Sequence, residues 1–258
     1  MRRLISVLAA VLAVTFMTGA AQAGQKVKIG TEGAYPPFNS IDKDGKLVGF
    51  DIDIANALCD AAGFECEFVV QDWDGIIPGL LAKKYDAIIA SMSITDERKE
   101  KVDFTNKYYN TPGKFFARKG SGLEVTPEGL KGKTIAVQRA TTHENFLTDN
   151  YGSIVTVKSY ATQDEAYLDI VSGRADAGIA DSVAVMDGFL NTDQGKDFQF
   201  FGPDFTDPKW FGEGAGIAIR KGEGDLVNAF NAAIAKIRAD GTYAKINAKY
   251  FDFDVYGK

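Results

Sequence analysis

The stretch "LAKKYDAIIAS", residues 81–91, reappears in outline ninety positions later as "VSGRADAGIAD", residues 171–181. Each stretch runs from a helix end through a basic residue and Asp-Ala into an apolar strand that ends at a polar side chain. A second pair, "KIGTEG" (28–33) and "TIAVQR" (134–139), repeats in the same order. This repeat indicates two similar lobes. Their equivalent strands end at Glu32 and Ser91 in one lobe, and at Gln138 and Asp181 in the other.

Strands and helices alternate along most of the chain. "ECEFVVQ" (65–71) reads as a strand, "GIIPGLLAKK" (75–84) as a helix and "DAIIAS" (86–91) as the next strand. Such alternation predicts an α/β fold in which each lobe has a mostly parallel sheet flanked by helices. Open α/β sheets bind ligands beyond the carboxyl ends of their strands. Two facing lobes would therefore form a cleft lined by the four strand ends of the repeat.

Two stretches rich in proline and glycine are predicted to cross between the lobes. They are "NTPGKFF" (110–116) and "GPDFTDPKWFGEG" (202–214). The second lobe is then an insertion into the first. In this division residues 24–111 and 212–258 form lobe 1, and residues 112–211 form lobe 2.

The first 23 residues have the organisation of a secretory signal peptide. Arg2 and Arg3 precede an apolar run, and an A-x-A cleavage site ends at Ala23. The apolar run is too short to span a membrane well. We expect cleavage, a mature chain that begins at Gly24, and a location in the periplasm. No cysteine stands at the cleavage point, so a lipid anchor is not expected.

The charge balance argues against a nucleic-acid partner. The 258-residue chain has a formal charge of −6, and loss of the two signal arginines leaves 27 basic against 35 acidic side chains, or −8. Nucleic-acid-binding domains are typically basic. The charge of the whole surface does not determine the charge of a pocket.

Two cysteines, Cys59 and Cys66, are predicted to form a disulfide. An exported chain enters an oxidising compartment, and Gly63 can end a helix between them so that the chain doubles back. Within one unbroken helix the two residues would lie about 10 Å apart, too far to bond. With two thiols and one histidine, a zinc site is not expected.

The strand end at Ser91 opens into hydroxyl and charged side chains. Ser93 follows, and Thr95 is well placed to cap a short helix that contains Arg98. A guanidinium binds a carboxylate through two parallel hydrogen bonds, each worth about 1.5–3 kcal/mol when charge-assisted. This combination is typical of a receptor for an α-carboxylate.

The same arginine has a second interpretation. In a dense run of charge, Arg98 can pair with an acidic neighbour on a solvated helix and contact no ligand. The residues alone leave the two roles equally open. The acidic neighbours are Asp96, Glu97 and Glu100.

Two aromatic residues also follow strand ends. Tyr35 lies in a stiff, proline-containing loop, and Trp73 follows a later strand. Aromatic side chains most often pack in a core, and Asp181 can equally be a turn or cap residue. Next to carboxylates at Glu32 and Asp181, however, the two rings could form an aromatic box for a flat or cationic side chain.

Six longer stretches are specific in combination: "GKLVGFDIDIANALCDAAG" (45–63), "YDAIIASMSITDERKEKVDFTNKYY" (85–109), "GKTIAVQRATT" (132–142), "SGRADAGIADS" (172–182), "FGEGAGIAIRK" (211–221) and "DGTYAKINAKYFDFDVYG" (240–257). Together they resemble the periplasmic polar-amino-acid-binding proteins of ABC transporters, and most closely the lysine/arginine/ornithine- and histidine-binding branch. The resemblance covers essentially the whole mature chain. It implies the two-lobe, type II periplasmic-binding-protein fold, with the ligand in the cleft between the lobes.

The resemblance also implies roles for individual residues. Arg98, Ser93 and Thr142 would bind the α-carboxylate of an amino acid, and Asp181 with Ser91 its α-ammonium. Tyr35 and Trp73 would enclose the side chain, and Glu32 would meet its distal cation. Cys59 and Cys66 match the family disulfide. The implied ligand contacts are Glu32, Tyr35, Trp73, Ala90, Ser91, Met92, Ser93, Arg98, Gln138, Thr141, Thr142 and Asp181.

The sequence departs from that branch at several of these positions. Glu32 stands where Asp is usual, Ala90 replaces a serine, and Trp73 replaces a Phe or Leu. The loop "QRATTHE" (138–144) replaces a Gly-Ser-Thr type of loop. Glu32 and Trp73 are similar to residues of opine-binding relatives, so an arginine-derived opine is an alternative ligand. We expect His143 to be exposed and to make no ligand contact.

Three functional classes are compatible with a two-lobe α/β chain of this kind. A monomeric uptake receptor that passes a cationic amino acid, arginine first, to an inner-membrane ABC permease needs no cofactor, metal or chemistry. An enzyme of the cyclohexadienyl dehydratase type would need a general acid or base, for which only Glu32 and His143 are candidates. A sensory domain would normally continue into a membrane or signalling segment. The receptor is the prediction.

Overall fold

The computed structural model of the chain describes residues 24–257, so the predicted signal peptide at 1–23 lies outside the described residues. Strands alternate with helices through most of this range. The strands are β1 (Gln25–Thr31), β2 (Ala34–Tyr35), β3 (Asn39–Ile41), β4 (Leu47–Val48), β5 (Phe64–Val70), β6 (Ala87–Ile88), β7 (Val102–Tyr109), β8 (Gly113–Arg118), β9 (Thr134–Gln138), β10 (Thr156–Tyr160), β11 (Ala177–Asp181), β12 (Phe198–Phe205) and β13 (Ala215–Arg220).

The helices lie between these strands and at the end of the described range. None of them combines the length and apolar character needed to cross a bilayer. A 3-10 turn at Trp73–Gly75 and a π-helical turn at Met186–Leu190 complete the regular structure. The α-helices are α1 (Phe50–Ala62), α2 (Ile76–Leu81), α3 (Asp96–Lys99), α4 (Pro127–Leu130), α5 (Thr142–Tyr151), α6 (Gln163–Val171), α7 (Ser182–Val185), α8 (Pro208–Phe211), α9 (Gly224–Ala239) and α10 (Thr242–Tyr250).

Two five-stranded sheets share one topology, and each belongs to one lobe. Their strand orders are β5-β1-β6-β13-β7 and β10-β9-β11-β8-β12. In the first sheet only β13 runs against the other strands, and in the second only β8 does. The prediction of two α/β lobes with mostly parallel sheets is therefore confirmed. A small antiparallel sheet of β2, β3 and β4 accompanies the first lobe.

The sequence repeat corresponds to equivalent strands. β1 and β9 occupy the second position of their sheets, and β6 and β11 the third. Helix α2 precedes β6 in the same way that α6 precedes β11. The repeated motif thus marks the same strand–helix unit in both lobes.

The chain passes between the sheets twice, next to an antiparallel strand each time. It leaves β7, crosses through residues 110–112 and enters the second sheet as β8. It leaves β12, crosses through residues 206–214 and returns as β13. Because β7 and β12 run parallel to the other strands, both crossings begin at the carboxyl ends of the sheets, on the cleft side.

The sequence analysis did not identify the strands β7 and β12. In β7, half-buried and exposed positions interrupt the buried ones, and most of β12 is half-buried or exposed. Both lie at sheet edges, where one side of the strand meets solvent and the apolar pattern weakens. The start of β8 and the end of β12 also fall within the stretches predicted as crossings.

Apolar side chains pack on both faces of the sheets. In β8, the consecutive residues Phe115 and Phe116 are fully buried in different clusters on opposite faces, as strand geometry requires. Full burial of such a side chain stabilises the fold by about 1.5–3 kcal/mol. In the first lobe Ile29 and Ile217 pack with Phe230 of α9.

The predicted disulfide is present. Cys59 and Cys66 are bonded, with their Cα atoms 6.2 Å apart. Gly63 ends α1 in the left-handed conformation with φ at 72°, which glycine adopts without steric cost. The chain then returns as β5, so the bond ties the end of α1 to the edge strand of the first sheet.

Candidate ligand-binding site

A cavity lies between the lobes at the carboxyl ends of both sheets. Its unfilled volume is about 530 Å³, part of which opens to solvent, a size typical of small-molecule pockets. All but one of the predicted ligand contacts line it. These are Glu32, Tyr35, Trp73, Ala90, Ser91, Ser93, Arg98, Gln138, Thr141, Thr142 and Asp181.

Met92 is the predicted contact that does not line the cavity. Its side chain is fully buried against Ile76 and Leu80, in the cluster that also contains Trp73. In the strand exit 90–93, Ala90, Ser91 and Ser93 line the cavity, while Met92 points into the core. Met92 thus contributes packing behind the site.

The sequence analysis missed lining residues that come from the two crossings. They form the base of the cleft because both crossings begin at the cleft side of the sheets. Pro112 and Gly212 marked these segments as connections, and that signal could also have placed their neighbours in the site. The missed residues are Tyr109, Asn110, Thr111, Phe211, Gly214 and Ala215.

Arg98 is a buried cation without a carboxylate partner. Its side chain is 8% exposed, and within residues 24–257 it forms no ion pair with an acidic side chain. Its acidic neighbours instead pair with other cations, Lys99 with Asp96 at 3.4 Å and Lys101 with Glu97 at 3.8 Å. The interpretation of Arg98 as one member of a solvated ion pair does not match this arrangement.

Two carbonyl groups hold the guanidinium of Arg98 in the cavity wall. Its Nη1 donates to the Ser93 carbonyl at 3.1 Å and its Nη2 to the Ala140 carbonyl at 3.3 Å. The guanidinium carbon lies 5.3 Å from the centre of the Trp73 ring. Burial lowers the pKa of Arg98 to about 10, so the group remains charged at neutral pH. A fixed charge with unused donors faces the cavity.

The Ala140 carbonyl also joins the two lobes. It accepts hydrogen bonds from the Trp73 indole at 3.1 Å and from Arg98, both on the first lobe, while Ala140 follows β9 of the second. Ala140 adopts a left-handed backbone conformation with φ at 57°. That conformation is costly for a residue with a Cβ, and such strain often accompanies a functional site.

Helix α5 begins next to Arg98. Thr141 caps it, accepting from the Glu144 amide at 3.2 Å while its hydroxyl donates to the Gln138 carbonyl at 2.7 Å. Thr142 is the first helical residue and is buried at the cavity wall. The free amides at a helix N-terminus favour an anion, and Arg98 adds a full positive charge. This region is suited to a carboxylate.

His143 contradicts the expectation of an exposed residue. It is half-buried, lines the cavity and lies against Phe211, with 5.6 Å between the ring centres. Gly113 makes room for it, since a Cβ there would come within 3.2 Å of the imidazole. Burial and the charge of Arg98 lower the pKa of His143 to about 3, so the ring is neutral. His143 is the second residue of α5, and at this position its side chain points into the cavity.

Asp181 is both a helix cap and a cavity residue. Its Oδ1 accepts from the amides of Val183 at 2.9 Å and Ala184 at 3.2 Å, and the Thr111 hydroxyl donates to Oδ2. Burial raises the pKa of Asp181 to about 6, although these hydrogen bonds act in the opposite direction. The two interpretations of this residue are therefore compatible.

Asp51, in the first turn of α1, supports the same part of the site. It is fully buried and accepts from Asn39 at 2.8 Å, Tyr108 at 2.8 Å and the Ser91 hydroxyl at 3.0 Å. Ser91 has a left-handed backbone with φ at 55°. These contacts hold Ser91 at the strand exit, with its hydroxyl oxygen able to accept from a donor in the cavity.

Tyr35 and Trp73 are anchored differently. Tyr35 is half-buried and stacks on the core residue Phe38, with ring centres 6.2 Å apart and planes 20° apart. Trp73 is fixed by its hydrogen bond to Ala140 and by the neighbouring guanidinium of Arg98. Both rings line the cavity, and Ala90 leaves space beside them.

Glu32 is a second buried charged group in the cavity wall. It is 6% exposed, and its Oε1 accepts from Gln138 Nε2 at 2.6 Å. The same nitrogen donates to the Ala161 carbonyl at 3.1 Å. Burial raises the pKa of Glu32 to about 7, the Gln138 hydrogen bond lowers it, and nearby carboxylates raise it further. Glu32 and Gln138 end equivalent strands, so the repeat brings them together across the cleft.

Surface contacts also hold the lobes in a closed arrangement. Arg139 pairs with Asp74 at 2.6 Å, and Asn145 donates to Glu97 at 3.2 Å. The cavity is therefore enclosed by residues from both lobes. Among residues 24–257, no group of acidic, histidine or cysteine side chains is arranged to hold a metal ion.

Comparisons with known proteins agree with this fold. The L-arginine-binding protein of Pseudomonas aeruginosa is 52% identical over 236 residues, 91% of each chain. The lysine/arginine/ornithine-binding periplasmic protein of Escherichia coli is 44% identical over 256 residues, 98% of each. A Salmonella typhimurium periplasmic binding protein described for its high arginine specificity superposes with a TM-score of 0.82 at 35% identity, covering 88% of this chain and all of that one. Residues 27–253 match the model of the bacterial extracellular solute-binding proteins, family 3, and the chain belongs to that family.

Proposed function

We propose that the protein is the periplasmic receptor of an ABC importer and that it binds a cationic L-amino acid, with arginine the preferred ligand and lysine, ornithine and histidine also accepted. The observation that carries the proposal is a pair of buried ionisable groups in one cavity, neither of which has an ion-pair partner among residues 24–257. Arg98 lacks an anion and Glu32 lacks a cation among the residues described. A buried charge without a partner costs several kcal/mol. A zwitterion with a cationic side chain supplies both partners.

The α-carboxylate is placed at Arg98. The guanidinium takes the carboxylate, and the Ser93 and Thr142 groups with the α5 amides complete its hydrogen bonds. His143, held neutral, adds no second charge at this end. The relatives named above bind amino acids, and this carboxylate is the group that all such ligands share.

The α-ammonium is placed between Asp181 and Ser91. Asp181 already accepts hydrogen bonds from Thr111 and from α7, and a nearby cation would complete its environment. The side chain then passes between Tyr35 and Trp73, and its cation reaches Glu32. Gln138 and Thr141 close this part of the cavity from the second lobe.

Closure of the two lobes completes the site. Arg98, Ser93, Glu32, Tyr35 and Trp73 come from the first lobe, so the ligand needs both lobes to satisfy all its polar groups. We assign residues 24–111 and 212–258 to lobe 1 and residues 112–211 to lobe 2, hinged at the crossings. A ligand that contacts both lobes stabilises the closed form, which the permease can recognise. The lining from the second lobe is Gln138, Thr141, Thr142, His143 and Asp181.

In this proposal the mature protein, after removal of residues 1–23, is a monomer. It binds its ligand without converting it chemically. The named relatives are binding proteins. Amino-terminal sequencing of the exported protein should begin at Gly24.

A calorimetric titration with single amino acids tests the proposal. Arginine should bind most tightly, lysine, ornithine and histidine more weakly, and glutamate should not bind, because its side chain would place a second carboxylate against Glu32. Recovery of unchanged arginine after prolonged incubation should accompany binding. Failure of every cationic amino acid to bind, or conversion of the ligand, would refute it.

A further inference from the structure

Three carboxylates outside the cavity lining act on Glu32. Asp72 and Asp74 beside the Trp73 turn and Asp164 at the start of α6 all act on it as like charges. Arg139, which follows Gln138 in the chain, is basic, but its side chain forms an ion pair with Asp74 at the surface. Tyr35 also lines the cavity, and burial raises its pKa well above 10, so it stays neutral. Among the described residues, three carboxylates therefore act on Glu32 and no cation forms an ion pair with it.

The one hydrogen bond to Glu32 does not replace a positive charge. Gln138 Nε2 has two hydrogens, and its two acceptors are Glu32 Oε1 at 2.6 Å and the Ala161 carbonyl at 3.1 Å. The amide nitrogen is thus saturated and cannot compensate the second carboxylate oxygen of Glu32. That oxygen is free to accept from a cation when ionised, or to donate when protonated.

Resting on the proposed function, we propose that Glu32 in the closed cleft is always neutralised, either by a proton or by the cation of the ligand. The protonated site therefore also binds amino acids whose side chain ends in a neutral amide or urea carbonyl. When the ligand is neutral, the closed complex holds one proton on Glu32, whose O–H donates to the ligand carbonyl. When the ligand is cationic, the closed complex holds no proton there, because the ligand brings the charge.

Burial and the three acidic neighbours support this exchange. In the closed cleft the pKa of Glu32 is raised to about 7 from an ordinary 4.5. Between these values a solvated Glu32 is ionised, whereas the closed site is protonated unless a cation is present. Near pH 6 the two ligand classes should therefore differ by almost one proton.

The test uses arginine and citrulline, which have nearly the same shape. The side chain of arginine ends in a cationic guanidinium, and that of citrulline ends in a neutral urea. Titration calorimetry of the mature wild-type protein at pH 6, in two buffers with different ionisation enthalpies, gives the number of protons taken up with each ligand. We expect citrulline to take up nearly one proton more than arginine. Equal proton numbers for the two ligands overturn the inference.

The dependence of affinity on pH gives a second readout. The ratio of the arginine to the citrulline affinity should fall as the pH drops below about 7, approaching tenfold per pH unit because one proton separates the two complexes. Glu32→Gln should abolish both the proton difference and this dependence. Asp164→Asn, a matched loss of a neighbouring carboxylate outside the lining, should keep the proton difference.

The outcomes separate this inference from the proposed function. If arginine does not bind at any pH, the proposed function fails. If arginine binds but citrulline does not bind at pH 6, or both bind with the same proton number, only the exchange at Glu32 is overturned. A proton difference that survives Glu32→Gln assigns the titration to another group and also overturns it.

Discussion

The Arg98 region and the Glu32 region of the cavity place one buried charge each in the same cleft, but the charges differ in permanence. The Arg98 region comprises Arg98, Ser93, Ala140, Thr142 and His143; the Glu32 region comprises Glu32, Gln138 and the acidic neighbours Asp72, Asp74 and Asp164. Burial lowers the pKa of Arg98 to about 10 and raises that of Glu32 to about 7. The guanidinium thus stays ionised at neutral pH, whereas the carboxyl group titrates there.

This difference assigns different tasks to the two regions. A permanent positive charge recognises the carboxylate common to all amino acids. A carboxyl group with a pKa near neutrality responds to what lies opposite it, and so distinguishes side chains. The same desolvation disfavours both charges, but only that of Glu32 becomes conditional, because the ordinary pKa of arginine lies much further from neutral pH than that of glutamate.

The largest expected effect is that of Arg98→Ala on binding. Two charge-assisted hydrogen bonds of about 1.5–3 kcal/mol each would be lost, so affinity for every amino acid should fall at least a hundredfold. Titration calorimetry with arginine, lysine and glutamine measures this. Lys99→Ala is the matched control, because Lys99 is a neighbouring cation that pairs with Asp96 and Glu213 outside the cavity. Loss of a single ligand class would contradict the assignment.

The next effect concerns the stability of the ligand-free protein. Glu32 keeps its proton up to about pH 7 in the folded chain but releases it near 4.5 when unfolded, so its contribution becomes more unfavourable as pH rises between these values. The free energy of unfolding of Glu32→Gln, measured relative to that of the wild type at the same pH, should therefore rise by about 3 kcal/mol between pH 4.5 and pH 8. Urea unfolding across this range measures the difference.

The same comparison has an internal control. Arg98 does not change charge between pH 4.5 and pH 8, so its own titration contributes nothing to the pH dependence of stability in this range. The contribution of His143 to the free energy of unfolding changes with pH in the opposite direction to that of Glu32. Its pKa is lowered from 6.5 to about 3 in the folded chain, so between these values the unfolded chain binds the proton and the folded chain does not. A difference between Glu32→Gln and the wild type that stays constant with pH would place Glu32 in a solvated environment.

A smaller effect is expected on ligand choice. At pH 7.5, Glu32→Gln should weaken arginine binding about thirtyfold, corresponding to roughly 2 kcal/mol for a charge-assisted contact, and leave glutamine within a few-fold. Competition titrations give the ratio. An unchanged order of preference would remove Glu32 from side-chain recognition.

The smallest effect on the cavity is expected from the disulfide. Replacing Cys59 and Cys66 by serine should lower the free energy of unfolding by about 2.5 kcal/mol, because the bond closes a short loop in the unfolded chain. Arginine affinity should stay within twofold, since the bond lies at the edge of the first sheet, away from the lining. A large loss of affinity would show that this edge positions the cleft.

Much of the fold was predictable because it rests on repeated local patterns. The strand ends Glu32, Ser91, Gln138 and Asp181 were identified from the repeat, and all four line the cavity. The position of Gly63 predicted the helix end that permits the disulfide. Such features depend on residues close together in the chain.

Other features depend on contacts distant in sequence, which no local pattern records. The inward position of His143 depends on Phe211 and on the missing side chain at Gly113. Ser91 donates hydrogen bonds to Asp51 and to the Tyr108 hydroxyl, which are both distant from it in the chain. Whether Met92 faced the cavity or the core likewise depended on how the strand exit turns.

A crystal structure of the mature protein with arginine tests the central claim most directly. The arrangement described here predicts the ligand carboxylate on the guanidinium of Arg98 and the ligand guanidinium on the carboxylate of Glu32, with Tyr35 and Trp73 along the side chain. Arginine bound in the reverse direction, or bound outside this cleft with Arg98 still holding only the Ser93 and Ala140 carbonyls, would contradict it.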